Sequence, residues 1–449
     1  MAEVSLTCKR TVISTKPVQP GKFCPLSALD RLMERNYLHI VFYYQSTVER
    51  NPGELTKKLR EAVAEMLSAF PIITGRLFKT PEGHWTIKCN DAGMRMVEAR
   101  AKGSVEKWLQ NLDREKELQL VHWEEMFHKP YFWSTFYVKV TEFEEGGIAI
   151  GLSCTHLLSD PPCATMLIKA WADMTLGGKM ITPPLFHPLP GRRPGNTNTN
   201  HEPYVELIDY YKLSIEKPAP VFNTKQVTII LAFDDEMVRR CITRIAPVES
   251  SRTPFEALAA LFWVVVSKVK GTKGGLTNMS ICLDMRNVLG LDRGFFGNCM
   301  VYNKVNGDGI EGNELCKAAN GIKEVVRKMD ADGIMDLIEW LKERNYQDLP
   351  WMNGYDLICV NLEAVDSYSA IFEDNARPLR VSYYIEPAVG EGQILIMPPP
   401  AGSRNTFSRV VTITLPEDEV NKLLEDALIQ EFSPTILMGL NKMHSSTSL

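Results

Sequence analysis

The sequence predicts an α/β protein of two domains with mixed sheets. Strand-like and helix-like periodicities alternate in both halves of the 449-residue chain. Residues 132–143 and 148–154 alternate around Glu144-Glu145-Gly146-Gly147, which is the pattern of an antiparallel hairpin. Residues 177–202 then carry GG, PP, PLPGRRPG and NTNTN without apolar periodicity. That punctuation divides the chain into an N-terminal domain, 1–180, a crossover linker, 181–221, and a C-terminal domain, 222–449.

In chain order, residues 4–16 alternate weakly and predict a first strand, and Ser27 in LSALDR is placed to cap a short helix. HIVFYY, residues 39–44, is β-branched and aromatic and predicts a strand. Leu55, Leu59, Ala62, Val63, Met66 and Leu67 recur at helical spacing within 52–70. IITGRL, residues 72–77, turns into a strand. Short strands over 85–89 and 94–98 flank an Asn90-Asp91-Ala92-Gly93 turn, and residues 105–112 predict a helix. The hairpin follows, and then a helix over 162–174.

In the second half, strands are expected at 226–233, 279–283, 357–362, 379–385, 393–397 and 410–415. Helices are expected at 236–245, 313–329, 333–344 and 418–428, with Gly294 to Asn298 as a turn. Thr253-Pro254-Phe255-Glu256 opens a further helix with a Thr cap, Pro at its first position and Glu at its third. That helix is apolar nearly all round and should be deeply buried.

A hydrophobic content of 45% with 23% charge is that of a globular protein, and a net charge of -5 gives no electrostatic reason to expect nucleic acid or an anionic membrane as partner. The longest apolar run, Ala257 to Val266, is too short to span a bilayer, and MAEVSLTCKR has no apolar signal region. Ten cysteines without CxxC pairs predict reduced thiols in a cytoplasmic setting, and the His and Cys spacing predicts no metal. Thr447-Ser448-Leu449 is only a distant echo of a peroxisomal address. Gly271 to Gly275 falls short of a phosphate-binding loop and reads as a surface turn; Arg192-Arg193 reads as solvated.

The chemistry-bearing stretch is Thr155-His156-Leu157-Leu158-Ser159-Asp160, set between the hairpin and the helix. A neutral imidazole at a strand end suits a general base that takes a proton from an alcohol or amine. The plainer reading makes Asp160 an N-cap ahead of Pro161-Pro162 and His156 a hydrogen-bonded scaffold residue. Thr155 either orients an acceptor or packs in the strand. Cys154 and Cys163 read as small buried thiols, and Trp123, Met126, Trp351 and Met352 either line an acyl-chain site or are ordinary core.

Taken together, LSALD, FPIITGRL (70–77), THLLSD (155–160), TPFEALAALFW (253–263), LDMR (283–286) and FFGN (295–298) stand in one order over nearly the whole chain. That order resembles the plant BAHD acyltransferases. The resemblance implies two similar α/β domains around a central channel, with acyl-CoA reaching His156 from one side and a hydroxyl or amine acceptor from the other. It implies His156 as general base, with Asp160 and Arg286 as a supporting ion pair. It also implies a CoA site lined by the second domain, whose residues follow no short motif, and a monomer with acyl-CoA as co-substrate and no bound cofactor.

This chain departs from the family pattern in two places. Pro161 replaces the glycine usual after the aspartate, and Phe372-Glu373-Asp374-Asn375-Ala376 stand where DFGWG is expected, differing at every position. The combination resembles the eceriferum branch of the family. For that branch the resemblance implies a second role: a non-catalytic partner of a fatty-acid elongase condensing enzyme in very-long-chain and wax synthesis, peripheral at the endoplasmic reticulum. In some of its members the corresponding His is dispensable.

Overall fold

The computed structural model describes residues 3–17, 21–45, 51–126, 130–191, 205–217, 225–245, 252–310, 314–344, 352, 355–388, 390–400 and 407–439. Arg192-Arg193, Trp351 and Thr447-Ser448-Leu449 lie outside them. The described residues form the expected mixed α/β architecture. A six-stranded sheet runs in the order Val4–Val12, Met94–Ala101, Phe136–Phe143, Ile148–Thr155, Tyr37–Tyr44, Arg380–Glu386. Its pairs are antiparallel except that between Met94–Ala101 and Phe136–Phe143. A seven-stranded sheet runs Met300–Val305, Met279–Asp284, Leu357–Asn361, Gln393–Met397, Arg409–Pro416, Gln226–Phe233, Thr435–Met438. The strand Leu357–Asn361 pairs in parallel with both its neighbours there. A small three-stranded sheet joins Phe23–Pro25, Trp85–Lys88 and Arg76–Lys79.

The hairpin forms in the expected place, with Phe136 opposite Cys154 and Glu142 opposite Ile148. Every residue of Ile148–Thr155 is buried. Gly151 is obligatory within it, because a Cβ there would stand 2.1 Å from the Leu120 carbonyl oxygen. The helix Pro254–Lys270 carries the full capping box, Thr253 Oγ1 accepting from Glu256 N–H at 3.1 Å. Phe255 to Ser267 are all buried, so this helix is the core element of the second half.

Several elements differ from the sequence expectation. The strands Trp85–Lys88 and Met94–Ala101 belong to different sheets. Asp91 and Gly93, at φ 49° and 84°, turn the chain out of the small sheet, and the Asp91 carboxylate anchors Ser14 through its N–H and Oγ. Within 181–221, residues Val205–Glu216 are a helix. Its buried Leu207, Tyr210, Tyr211 and Ser214 fall on one face at helical spacing, beyond the end of the Pro/Gly/Asn-rich stretch. The strand Met300–Val305 was not expected; it is held by pairing with Met279–Asp284. The final helix is interrupted at Asp426, which caps a second helix, Ala427–Phe432.

Arg380–Glu386 comes from the second half of the sequence yet pairs with Tyr37–Tyr44 in the first sheet, Val381 opposite Phe42. That exchange joins the two halves beside the helix that follows Asp160: Tyr383 Oη lies 2.6 Å from Thr165 Oγ1 and 2.7 Å from Ser367 Oγ. Among the described residues no helix is long and apolar enough to cross a membrane.

Candidate active site

His156 is the first residue past Ile148–Thr155. Its N–H donates to the Asn36 carbonyl at 2.9 Å, and its own carbonyl accepts from Asn298 Nδ2 at 2.8 Å. The backbone on both sides of the ring is therefore pinned to other segments. The residue is 1% exposed, and Nδ1 is buried without a hydrogen-bond partner. Burial lowers its pKa below the ordinary imidazole value; the nearby Asp160 carboxylate and the Asn298 contact oppose that only in part. At neutral pH the ring is accordingly the uncharged, basic form.

Asp160 sits at the next turn and caps the helix Pro161–Gly177, accepting from Cys163 N–H at 3.0 Å. Pro161 suits the first helical position, because its absent N–H has no intrahelical partner to lose. The Asp160 side chain is fully buried, so it needs a partner. Arg286 supplies it, with Nη2 2.9 Å from each carboxylate oxygen, and Cys299 N–H donates to Oδ2 at 2.9 Å. Arg286 also donates from Nη1 to Asp284 at 2.9 Å and from Nη2 to the Gly297 carbonyl at 2.6 Å. Burial pushes this guanidinium down, but Asp160 and the other neighbouring acidic groups outweigh it and hold the pKa well above the usual value.

Two residues complete this framework that the sequence reading did not single out. Asp30 belongs to LSALD and Asn298 to FFGN. Asp30 forms a capping box with Ser27 and accepts from Asn298 N–H at 2.9 Å and Nδ2 at 3.0 Å. Burial raises the Asp30 carboxyl above its ordinary value, against these hydrogen bonds. Segments far apart in the chain thus form one connected network: Ser27–Asp30–Asn298–His156 on one side and Gly297–Arg286–Asp160–Cys163 on the other. A sequence signal existed for both residues, since each stands in a quoted motif. Their mutual contact, spanning 268 residues, had none.

Thr155 and Leu157, on either side of the His, bound a cavity of about 240 Å³ whose wall also includes Tyr37, Trp85, Trp123 and Trp133. Tyr37 and Trp123 stack there, their ring centres 5.0 Å apart. Met126 lies on the same cavity, whereas Met352 is core at 2% exposure. Cys154 and Cys163 are buried thiols; burial raises the pKa of both, and Cys163 Sγ accepts from Gly297 N–H at 3.2 Å.

The segment 372–376 lies elsewhere. Phe372 is buried edge-on against Tyr44 and Trp171, ring centres 5.5 and 5.2 Å away. Glu373 and Ala376 are buried while Asp374 and Asn375 are exposed; Ala376 N–H donates to the Glu373 carbonyl at 3.0 Å, and Asn375 takes the left-handed turn at φ 61°. Trp171 stands about 16 Å along its helix from Asp160, at 1.5 Å per residue. The structure therefore brings together His156, Asp160 and Arg286 and leaves 372–376 as packing at the far end of that helix. Among the described residues no cluster of three or more His, Cys, Asp or Glu is arranged to hold a metal ion.

This chain is similar over most of its length to proteins of known name. It is 26% identical over 425 residues to Protein ECERIFERUM 26-like of Arabidopsis thaliana, covering 92% of each chain. It is 26% identical to rosmarinate synthase of Plectranthus scutellarioides, covering 92% of this chain and 96% of that one. In three dimensions it matches the crystal structure of vinorine synthase with a TM-score of 0.72 at 18% identity, covering 94% of this chain and 97% of that one. The family model described as the Transferase family matches residues 2–428. The chain therefore belongs to the Transferase family, the BAHD acyltransferases.

Proposed function

We propose that the protein transfers an acyl group from acyl-CoA to a hydroxyl or amine acceptor, with His156 as general base. The observation that carries this reading is a neutral, buried imidazole with an unpartnered nitrogen, on a loop whose backbone is fully anchored. Leaving a buried ring nitrogen unpaired costs about 1–3 kcal/mol, a cost at odds with a purely structural His. Its depressed pKa keeps the base form present below pH 6.5.

In the reaction, His156 takes the acceptor proton as the acceptor oxygen or nitrogen attacks the thioester carbonyl. The tetrahedral oxyanion collapses, the carbon–sulfur bond breaks, and the departing CoA thiolate takes the proton back from His156. Asp160 and Arg286 act at one remove, holding the loop and the start of its helix. Acyl-CoA is a co-substrate here, and the protein's part is to orient it and exclude water.

A second reading is favoured by a specific pair of observations. The His156 ring is almost wholly enclosed, and the segment 372–376 has become ordinary packing. Both suit the non-catalytic role that resemblance to the eceriferum branch implies, assistance to an elongase condensing enzyme at the endoplasmic reticulum.

A paired assay separates the two readings. Wild type and His156→Ala are offered pooled acyl-CoAs and acceptors with free CoA as readout, and each is co-expressed with a fatty-acid elongase. Loss of CoA release in the variant by about a hundredfold or more supports the transferase. No release from either, with longer acyl chains from both, refutes it and leaves the partner role.

A further inference from the structure

Away from the His156 site, the small sheet holds a pair of thiols that acyl transfer does not use. Cys24 Sγ lies 3.6 Å from Cys89 Sγ. The strand Phe23–Pro25 runs antiparallel to Trp85–Lys88 with Cys24 opposite Ile87, and Cys89 N–H continues the ladder by donating to the Lys22 carbonyl at 2.9 Å. Cys89 stands two residues beyond Ile87, so both sulfurs lie on one face of the sheet as diagonal neighbours. A disulfide bond is about 2.05 Å long, so the sulfurs need to approach by only about 1.5 Å. Cys24 is partly exposed and Cys89 is buried.

We propose that Cys24 and Cys89 are a dithiol modification site that exchanges with small-molecule disulfides of the glutathione class and closes reversibly to an intramolecular disulfide. The Cys24 thiolate attacks one sulfur of oxidised glutathione, forming a mixed disulfide and releasing one glutathione. Cys89 then attacks Cys24 Sγ, the Cys24–Cys89 bond forms, and the second glutathione leaves. The two cysteine sulfurs lose two electrons, the glutathione disulfide gains them, and the two thiol protons end on the released glutathiones.

The order of attack follows from the surroundings. The hydrogen bond from Cys89 holds the Cys24 thiol down to about 7, with burial opposing and the Lys22 charge assisting, whereas donating that bond and burial push Cys89 up. Burial also pushes up Cys154, Cys163, Cys241, Cys282, Cys299 and Cys359, which leaves them poor nucleophiles. The bond would close a loop of sequence separation 65 and tether the strand that runs directly into Ser27 and Asp30. Closing a loop of that length restricts the unfolded chain and stabilises the fold.

The test uses the full chain, reduced and then equilibrated in glutathione buffers of increasing oxidised fraction, alkylated in denaturant and mapped by peptide mass. The expected product is one Cys24–Cys89 cross-link among the ten cysteines, reversed by dithiothreitol. Cys89→Ser should trap glutathione on Cys24, while Cys24→Ser should leave Cys89 a free thiol. The oxidised wild type should melt a few degrees above the reduced form, and Cys89→Ser should show no such rise. A lasting glutathione adduct on wild-type Cys24, a free Cys24 thiol in the most oxidising buffer, or a fall in melting temperature on oxidation overturns the proposal. None of these readouts depends on acyl transfer.

Discussion

Replacing Asp160 by Asn keeps the side-chain size and removes one charge from a buried ion pair whose carboxylate is wholly enclosed. The native carboxylate accepts from Arg286 on both oxygens, from Cys299 N–H on one and from Cys163 N–H on the other. A carboxamide has a single oxygen, so either orientation turns an NH₂ toward a buried N–H. Removing one member of a buried pair costs about 3–5 kcal/mol. Arg286 keeps Asp284, whose side chain is 26% exposed, and the Gly297 carbonyl, so the expected loss lies near the lower end. With an unfolding entropy of about 2.1 cal/mol/K per residue, that loss lowers the melting temperature by about 3 °C for a chain of this length. The assay is a calorimetric double-mutant cycle with Asp160→Asn, Arg286→Met and the double variant. A coupling energy of about 2 kcal/mol is expected, the double variant being less damaged than the two losses combined. If each single variant costs less than about 1 kcal/mol, the value of an exposed pair, the pair does not brace the loop and the reasoning is wrong.

Asn298→Ala removes the donor shared by Asp30 and the His156 carbonyl and should cost about 1–3 kcal/mol by thermal unfolding. If His156 is the base proposed above, an acyl-transfer assay of this variant should show kcat falling more than KM rises, because the change loosens the His156 loop rather than a substrate contact. Gly151→Ala drives a methyl group into the Leu120 carbonyl and should destabilise by about 1–3 kcal/mol or more, which soluble yield and urea unfolding will show; wild-type stability would contradict the close approach.

The fourth prediction concerns acid. Burial, aided by the Arg114 charge, lowers the pKa of His39 to about 3, and burial also depresses His156. For a folded pKa below the unfolded value of about 6.5, the unfolded chain binds more protons, so the stabilisation is whole above pH 6.5 and is lost as pH falls; for His39 the loss continues toward pH 3 at about 1.4 kcal/mol per unit. His39→Asn should therefore lose about 2 kcal/mol less than wild type between pH 6.5 and pH 5 in urea titrations; equal losses would mean that His39 is protonated in the fold.

Much of this protein is legible in its chain. The hairpin ending at Thr155, the strand Gln226–Phe233 and the Thr253-capped helix follow from alternation, helical spacing and capping, which depend on residues only a few positions apart. The motifs carrying His156, Asp160 and Arg286 could likewise be picked out by eye. What local pattern cannot carry is the choice of partner. Nothing within reach of Arg380–Glu386 says that it pairs with Tyr37–Tyr44 rather than with the strands of its own half. Glu117 illustrates the same limit: it sits on a short helix among charged neighbours, yet its side chain is fully buried and accepts from Tyr43, Ser382 and Tyr384. Asp30 and Asn298 meet the His156 loop for the same kind of reason. By itself the sequence determines most of the secondary elements and the chemical types at the site, though not a strand such as Met300–Val305 that is held by its pairing. Only the tertiary structure decides which buried polar groups satisfy one another, because exclusion of water makes an unpaired group costly wherever it stands and its partner is supplied by whichever distant segment packs beside it.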